Sequence, residues 1–208
     1  MSVFKKQKKR GFTLVELLVT ISIFVILTGI VLFNQTKFNS TILLTNLAYD
    51  TALTVRQAQT YGINIKEFNV GVVGGKFSPY GVHFEKEDKS FILFTDIEPV
   101  PDGIFNGIKT TCYNSEGCVT RYNIKRGNYI QDICDGILGV GQSSCSDGGF
   151  DSKQKLDIVF VRPSPDAQIR FDSSEDMSVA ATIILGGVEE GSTRKVVVRR
   201  NGLIEIIN

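Results

Sequence analysis

Histidine is almost missing from this chain, with His83 alone among 208 residues. Acid–base catalysis draws on histidine more than on any other side chain, and no Ser or Cys here stands in a nucleophile motif. The sequence therefore predicts no enzyme and no cofactor. His83 itself sits in an alternating apolar run and reads as a packed or surface strand residue. Metal chemistry is equally thin. The four cysteines lack any C-x2-C element, which disfavours zinc, and the acidic turns at Asp147 and Asp151 and at Asp172, Glu175 and Asp176 lack the twelve-residue calcium-loop pattern. They read as solvated turns, with no metal site. Gly71, Gly74 and Gly75 lack the spacing and following helix of a phosphate loop and read as a turn.

A second absence says more. From Phe12 to Phe33 there is no Lys, Arg, Asp or Pro, and Glu16 is the single acid. As a helix those 22 residues would extend about 33 Å, enough to cross a hydrocarbon core of about 30 Å. Lys5, Lys6, Lys8, Lys9 and Arg10 precede the run, and no basic residue follows until Lys37. That asymmetry predicts a cytoplasmic N-terminus and an exported remainder. A secretory signal would be shorter and would end in a small-residue cleavage site, and none follows Phe33. A plain anchor explains length and charge but not Glu16, because an acid at membrane depth costs roughly 2.5–3.5 kcal/mol and marks function by default.

The run Gly11-Phe12-Thr13-Leu14-Val15-Glu16-Leu17 resembles the processing motif of type IV prepilins and type II secretion pseudopilins. The resemblance implies that residues 1–11 are a leader, cut between Gly11 and Phe12 by a membrane-embedded prepilin peptidase, and that Phe12 is then N-methylated. It also gives Glu16 a partner. In a bundle of such helices its carboxylate would meet the cationic amine of a neighbouring Phe12, which favours assembly and sets register. Other pilins or pseudopilins and an inner-membrane assembly platform are the implied partners.

Beyond the membrane run, Thr36 to Tyr61 contains neither Pro nor Gly. Leu44, Leu47, Ala48, Ala52, Val55 and Ala58 recur at spacings of three and four, one apolar stripe. A single helix from about Phe12 to Tyr61 is predicted, with residues 12–33 as membrane or filament core, residues 34–62 as an amphipathic half, and Gly62 with Asn64 as its stop. After Gly62 the period falls to two. Tyr80 to Phe84 and Phe91 to Phe94 suggest a hairpin. Leu156 to Val161 runs into a proline bend, Val179 to Leu185 is β-rich, and Asn201-Gly202 predicts a two-residue hairpin before Leu203 to Ile207. The expected fold is α+β, a long helix packed on a β-sandwich head over 63–208.

Val55-Arg56-Gln57-Ala58-Gln59, Tyr80 to Phe84, Phe91 to Asp96, Leu156 to Phe160, Arg162-Pro163, Pro165-Asp166-Ala167 and the closing hairpin, in that order, resemble the GspH/FimT group of minor pseudopilins and pilins. Residues from about 103 to 155 look like an insertion. They hold Cys112, Cys118, Cys134 and Cys145, all on the predicted exported side, where disulfides persist. Of the three connectivities, proximity favours Cys112 with Cys118 and Cys134 with Cys145.

The expected role is a minor subunit of a type II secretion or type IV pilus-like machine, single-pass in the inner membrane with an extracytoplasmic head. The alternative is a FimT-like DNA-uptake pilin, for which Arg194, Lys195, Arg199 and Arg200 supply a basic cluster. DNA-binding members of that group place arginines directly after the hairpin glycine, whereas Gly202 here precedes Leu203, Ile204 and Glu205. The net charge of +1, less the five positive charges of the leader, leaves −4 for the remainder, a poor basis for nucleic-acid affinity.

Overall fold

The computed structural model describes residues 11–64, 78–97, 101–107, 112, 117–174, 177–188 and 191–207, with side chains of 33–39 left out. The chain divides into two units, Met1–Asn39 and Ser40–Asn208. Helix α1, Leu14–Ile63, contributes to both. From Leu14 to Leu32 its apolar side chains are exposed, and this stretch is long and apolar enough to cross a membrane, with mean hydropathy 2.6. The glycine turns at 71, 74 and 75 lie outside the described residues.

The second unit is built on two antiparallel sheets. β1 (Tyr80–Glu85), β2 (Ser90–Thr95), β3 (Cys118–Asn123), β5 (Lys155–Phe160) and β6 (Ala167–Phe171) form one, in the order β3-β2-β1-β5-β6. β4 (Tyr129–Asp135), β7 (Ala180–Gly186), β8 (Thr193–Arg199) and β9 (Ile204–Ile207) form the other, in the order β4-β7-β8-β9. The predicted hairpin is present, Val82 opposite Leu93 and Phe84 opposite Phe91.

Alternation decides which residues meet the helix. Val82 and Phe84 of β1, Leu156 and Ile158 of β5, Ile183 and Leu185 of β7, and Val196 and Val198 of β8 point inward. They pack with the helix stripe Leu44, Leu47, Ala48, Val55 and Ala58, all predicted from their spacing. Fully burying one such aliphatic or aromatic side chain contributes about 1.5–3 kcal/mol, so this shared core holds helix and sheets as one head.

Two sequence expectations shift. Gly62 does not stop the helix, which runs on to Ile63. It lies inside the last turn because a Cβ there would stand 2.5 Å from the Phe160 carbonyl oxygen, so glycine lets the helix touch β5. The last hairpin is also longer than two residues. Arg199 N–H donates to Leu203 O and Gly202 N–H to Arg199 O, both at 2.9 Å, leaving three loop residues with only Gly202 at positive φ, +79°. Type I′ needs two positive φ values, whereas a type I turn closed by a left-handed glycine needs one.

The stretch from about 103 to 155 supplies β3 at one edge of the first sheet and β4 at one edge of the second. Some of its described loop residues cover the outward faces of both sheets. Phe105 and Cys112 pack on Ile92, Phe94, Cys118 and Val159 of the first, and Leu138, Cys145 and Phe150 pack on Cys134 and Ile184 of the second.

Candidate functional site

Gly11, Phe12 and Thr13 lie outside the helix, which begins at Leu14. Thr13 Oγ1 accepts the backbone N–H of Glu16 at 3.2 Å, and Thr13 O accepts Leu17 N–H at 3.1 Å as the first helical bond. Thr13 is thus the N-cap and Glu16 the third helical residue, the arrangement that a Thr-x-x-Glu sequence encodes. A cap of this kind is worth about 0.5–2 kcal/mol, and an acid in the first turn also meets the positive end of the helix dipole. Sequence reasoning singled out Glu16 for its charge and passed over Thr13, although the spacing of the two is itself the signal.

Glycine at position 11 is not demanded by the chain's own packing. A Cβ there would have nothing within 4 Å, so a requirement for a small residue would have to come from outside. Phe12 is 77% exposed and Leu14 74%. Farther along, Thr20 Oγ1 donates to Leu17 O at 2.9 Å, Ser22 Oγ to Leu18 O at 2.8 Å and Thr28 Oγ1 to Phe24 O at 2.7 Å. Every one of these hydroxyls is satisfied inside the helix, as an apolar surrounding requires.

The structure bonds Cys112 to Cys118 and Cys134 to Cys145, each pair with Cα atoms 5.3 Å apart, well within the span a disulfide bridges. The Asp132 carboxylate comes within 4.8 Å of the second pair's sulfurs. Bridged sulfurs offer a metal no thiolate, and Asp132 already accepts from Ser152 Oγ and pairs with Lys86 Nζ at 3.1 Å.

The basic cluster is divided, with Arg199 and Arg200 lining one shared pocket and Lys195 covered. Lys195 is buried, with Nζ donating to Gly139 O at 2.6 Å and Gln142 O at 2.9 Å, and burial lowers its pKa from the usual 10.5. Arg199 bonds Glu205 through Nε and a terminal nitrogen at 3.1 and 2.9 Å. Arg200 donates to the Met177 carbonyl and Arg194 to the Thr193 carbonyl. The acidic turns serve the backbone. Asp147 accepts from Ser143 N, Ser143 Oγ and Ser144 N, bonds that lower its pKa, the Ser143 amide most. Asp172 accepts from Gln154 N and Lys155 N, and Glu175 and Asp176 lie outside the described residues. His83 is buried on the outward side of β1, between Asp157 and Glu85.

A helix that is capped just after a glycine, apolar in its first half and packed on antiparallel sheets in its second is a pilin-like layout. Residues 6–32 match the family described as the prokaryotic N-terminal methylation motif. The match supports a type IV pilin-like protein, a structural subunit cut by prepilin peptidase, assembled with other pilins and anchored in the inner membrane. No curated protein and no solved structure matches the chain.

Proposed function

We propose that this chain is a minor pilin or pseudopilin of a type II secretion or type IV pilus-like machine, with a GspH/FimT-type head. The leader is removed between Gly11 and Phe12, Phe12 is N-methylated, and Glu16 then pairs with the Phe12 amine of a neighbouring subunit. The N-terminus starts in the cytoplasm, the head lies outside the inner membrane, and the assembly platform draws the subunit into a bundle of helices. One observation carries this reading: the exposed apolar stretch Leu14–Leu32 has its lone carboxylate, Glu16, in the first helical turn, three residues past a cap. In lipid that carboxylate has no cation to offset its cost, whereas in a bundle it does.

The test separates processing from assembly. Co-expression with a prepilin peptidase should give a chain beginning at methylated Phe12, read by mass spectrometry, and Gly11→Leu should block the cut. Glu16→Gln keeps a capping partner at the third helical position while removing the charge. Membrane insertion should hold or improve, and cross-linking to partner pilins should fall. An uncut chain starting at Met1, or cross-linking equal to wild type, refutes the corresponding half.

A further inference from the structure

The bond between the Gly11 carbonyl and the Phe12 nitrogen lies just outside helix α1. Residues 11–13 carry no helical structure, and α1 begins at Leu14. One side chain marks that start. Thr13 Oγ1 accepts the Glu16 N–H at 3.2 Å while Thr13 O accepts the Leu17 N–H at 3.1 Å as the first helical bond, so the Gly11 carbonyl precedes the ladder. The chain's own packing does not crowd the bond either. A Cβ on Gly11 would have nothing within 4 Å, and Phe12 is mostly exposed.

The alternative start is close by. Ala and Val are poor N-caps, whereas glycine is tolerated there, so a chain without the Thr13 hydroxyl has Gly11 as its next cap and Phe12 as its first helical residue. An orphan N–H is costly at the edge of an apolar surrounding, which supplies the drive: Glu16 N–H would turn to Phe12 O, and Val15 N–H to Gly11 O. The bond to be cut would then be helical. Hydrolysis adds water across it, the hydroxyl going to the Gly11 carbonyl carbon and a proton to the departing Phe12 nitrogen. The carbonyl oxygen must therefore be free for the enzyme's own donors as charge develops on it, and a bond to Val15 would occupy it.

We propose, resting on the cut between Gly11 and Phe12 given above, that Thr13 is a positioning residue for that cut: by capping α1 it holds the scissile bond in non-helical backbone for the peptidase. Thr13 acts through the place where the helix begins, and it uses the Glu16 amide, not the carboxylate assigned to assembly.

The full precursor in detergent micelles, incubated with a purified prepilin peptidase, gives kcat and KM for wild type and for Thr13→Ser, Thr13→Asn, Thr13→Val and Thr13→Ala. Only chains with the bond outside the helix are competent, and a smaller competent share raises KM while leaving kcat in place. Thr13→Val, close in shape but without an acceptor, and Thr13→Ala should raise KM by between about twofold and about thirtyfold, the range that a lost cap corresponds to. Thr13→Ser and Thr13→Asn cap at least as well as threonine and should stay within about twofold of wild type. A peptidase that read the hydroxyl itself would accept Ser and reject Asn. In the same micelles the Val15 amide of Thr13→Val should exchange with deuterium at least about threefold more slowly, having gained an acceptor. Wild-type KM in Thr13→Val, slowing by Ser or Asn equal to that by Val, a loss confined to kcat, or unchanged Val15 exchange overturns the assignment alone. A wild-type chain left uncut after Gly11 overturns the processing reading and the role of Thr13 with it.

Discussion

Lys195 reaches out from β8 and donates its ammonium to the Gly139 carbonyl at 2.6 Å, tying the second sheet to the loop that covers it. Gln142 O is a second acceptor at 2.9 Å, and Thr182 on the neighbouring strand accepts Leu138 N–H at 3.1 Å while donating to Gly136 O at 2.6 Å. The loop is thus held by polar contacts on both sides of Cys134–Cys145.

Replacing Lys195 with Met preserves much of the volume and removes the donors. Charge-assisted bonds of this kind contribute about 1.5–3 kcal/mol, reduced here because the freed carbonyls can turn to water. The urea midpoint should fall modestly, and limited proteolysis should cut first within 139–142. The pH dependence has a definite sign. Burial lowers the folded-state pKa, so between that value and 10.5 the unfolded chain binds more protons and stability rises with pH. The difference between wild type and Lys195→Met, followed by urea titration across that alkaline window, should show this slope. A parallel pair of curves would contradict it.

Asp147 should act at the acid end of the same loop. Its pKa is lowered by the Ser143 and Ser144 bonds, so its contribution is present above the usual 3.8 and is lost as pH falls through the lowered value. Asp147→Asn should therefore lose stability near neutrality and lie closer to wild type in strong acid. Urea midpoints at both ends of the range would reveal the convergence, and a constant gap would exclude it.

Exported as proposed, the head should carry no free thiol. Alkylation of the unreduced, denatured chain should label none of the four cysteines, and peptide mapping should return Cys112 with Cys118 and Cys134 with Cys145. Labelled cysteines, or a crossed pairing, would contradict the two stapled covers.

Duplex DNA should bind weakly and without sequence preference. Lys195 is buried and Arg199 is neutralised by Glu205, so few cations remain to displace counterions from phosphate. Submicromolar, salt-sensitive binding that disappears in Arg199→Ala with Arg200→Ala would instead favour the uptake-pilin alternative.

Much of this architecture was legible because local periodicity carries it. The stripe from Leu44 to Ala58 announced a helix with one buried face, and Val82 with Phe84 announced the inward side of β1. The same alternation puts Lys195 and Arg199 outward of Val196 and Val198, so it already separates Lys195 from Arg194. It cannot say that an outward face is covered. His83 is buried by Phe105, 22 positions away, and by Asp157, 74 positions away, and nothing near His83 encodes either partner. β3 and β4 escaped for a related reason. Both are edge strands whose outward residues, Cys118 and Cys134, pack under loops, so neither shows a clean polar face.

Gln59 and Gly62 close the helix onto the head in a way that bears on force. Gln59 Nε2 donates to Pro165 O at 3.0 Å and to Gly202 O at 3.2 Å, one beside each sheet, and Gly62 lies against the Phe160 backbone. Tension arriving at Ser40 during extraction from a membrane would run the length of the helix and meet these grips at its far end. It would strain the Gln59 bonds and the interlocked side chains together, in shear rather than one at a time. The head is anchored like a splice, gripped along the stripe from Leu44 to Ala58 and again where the rope ends.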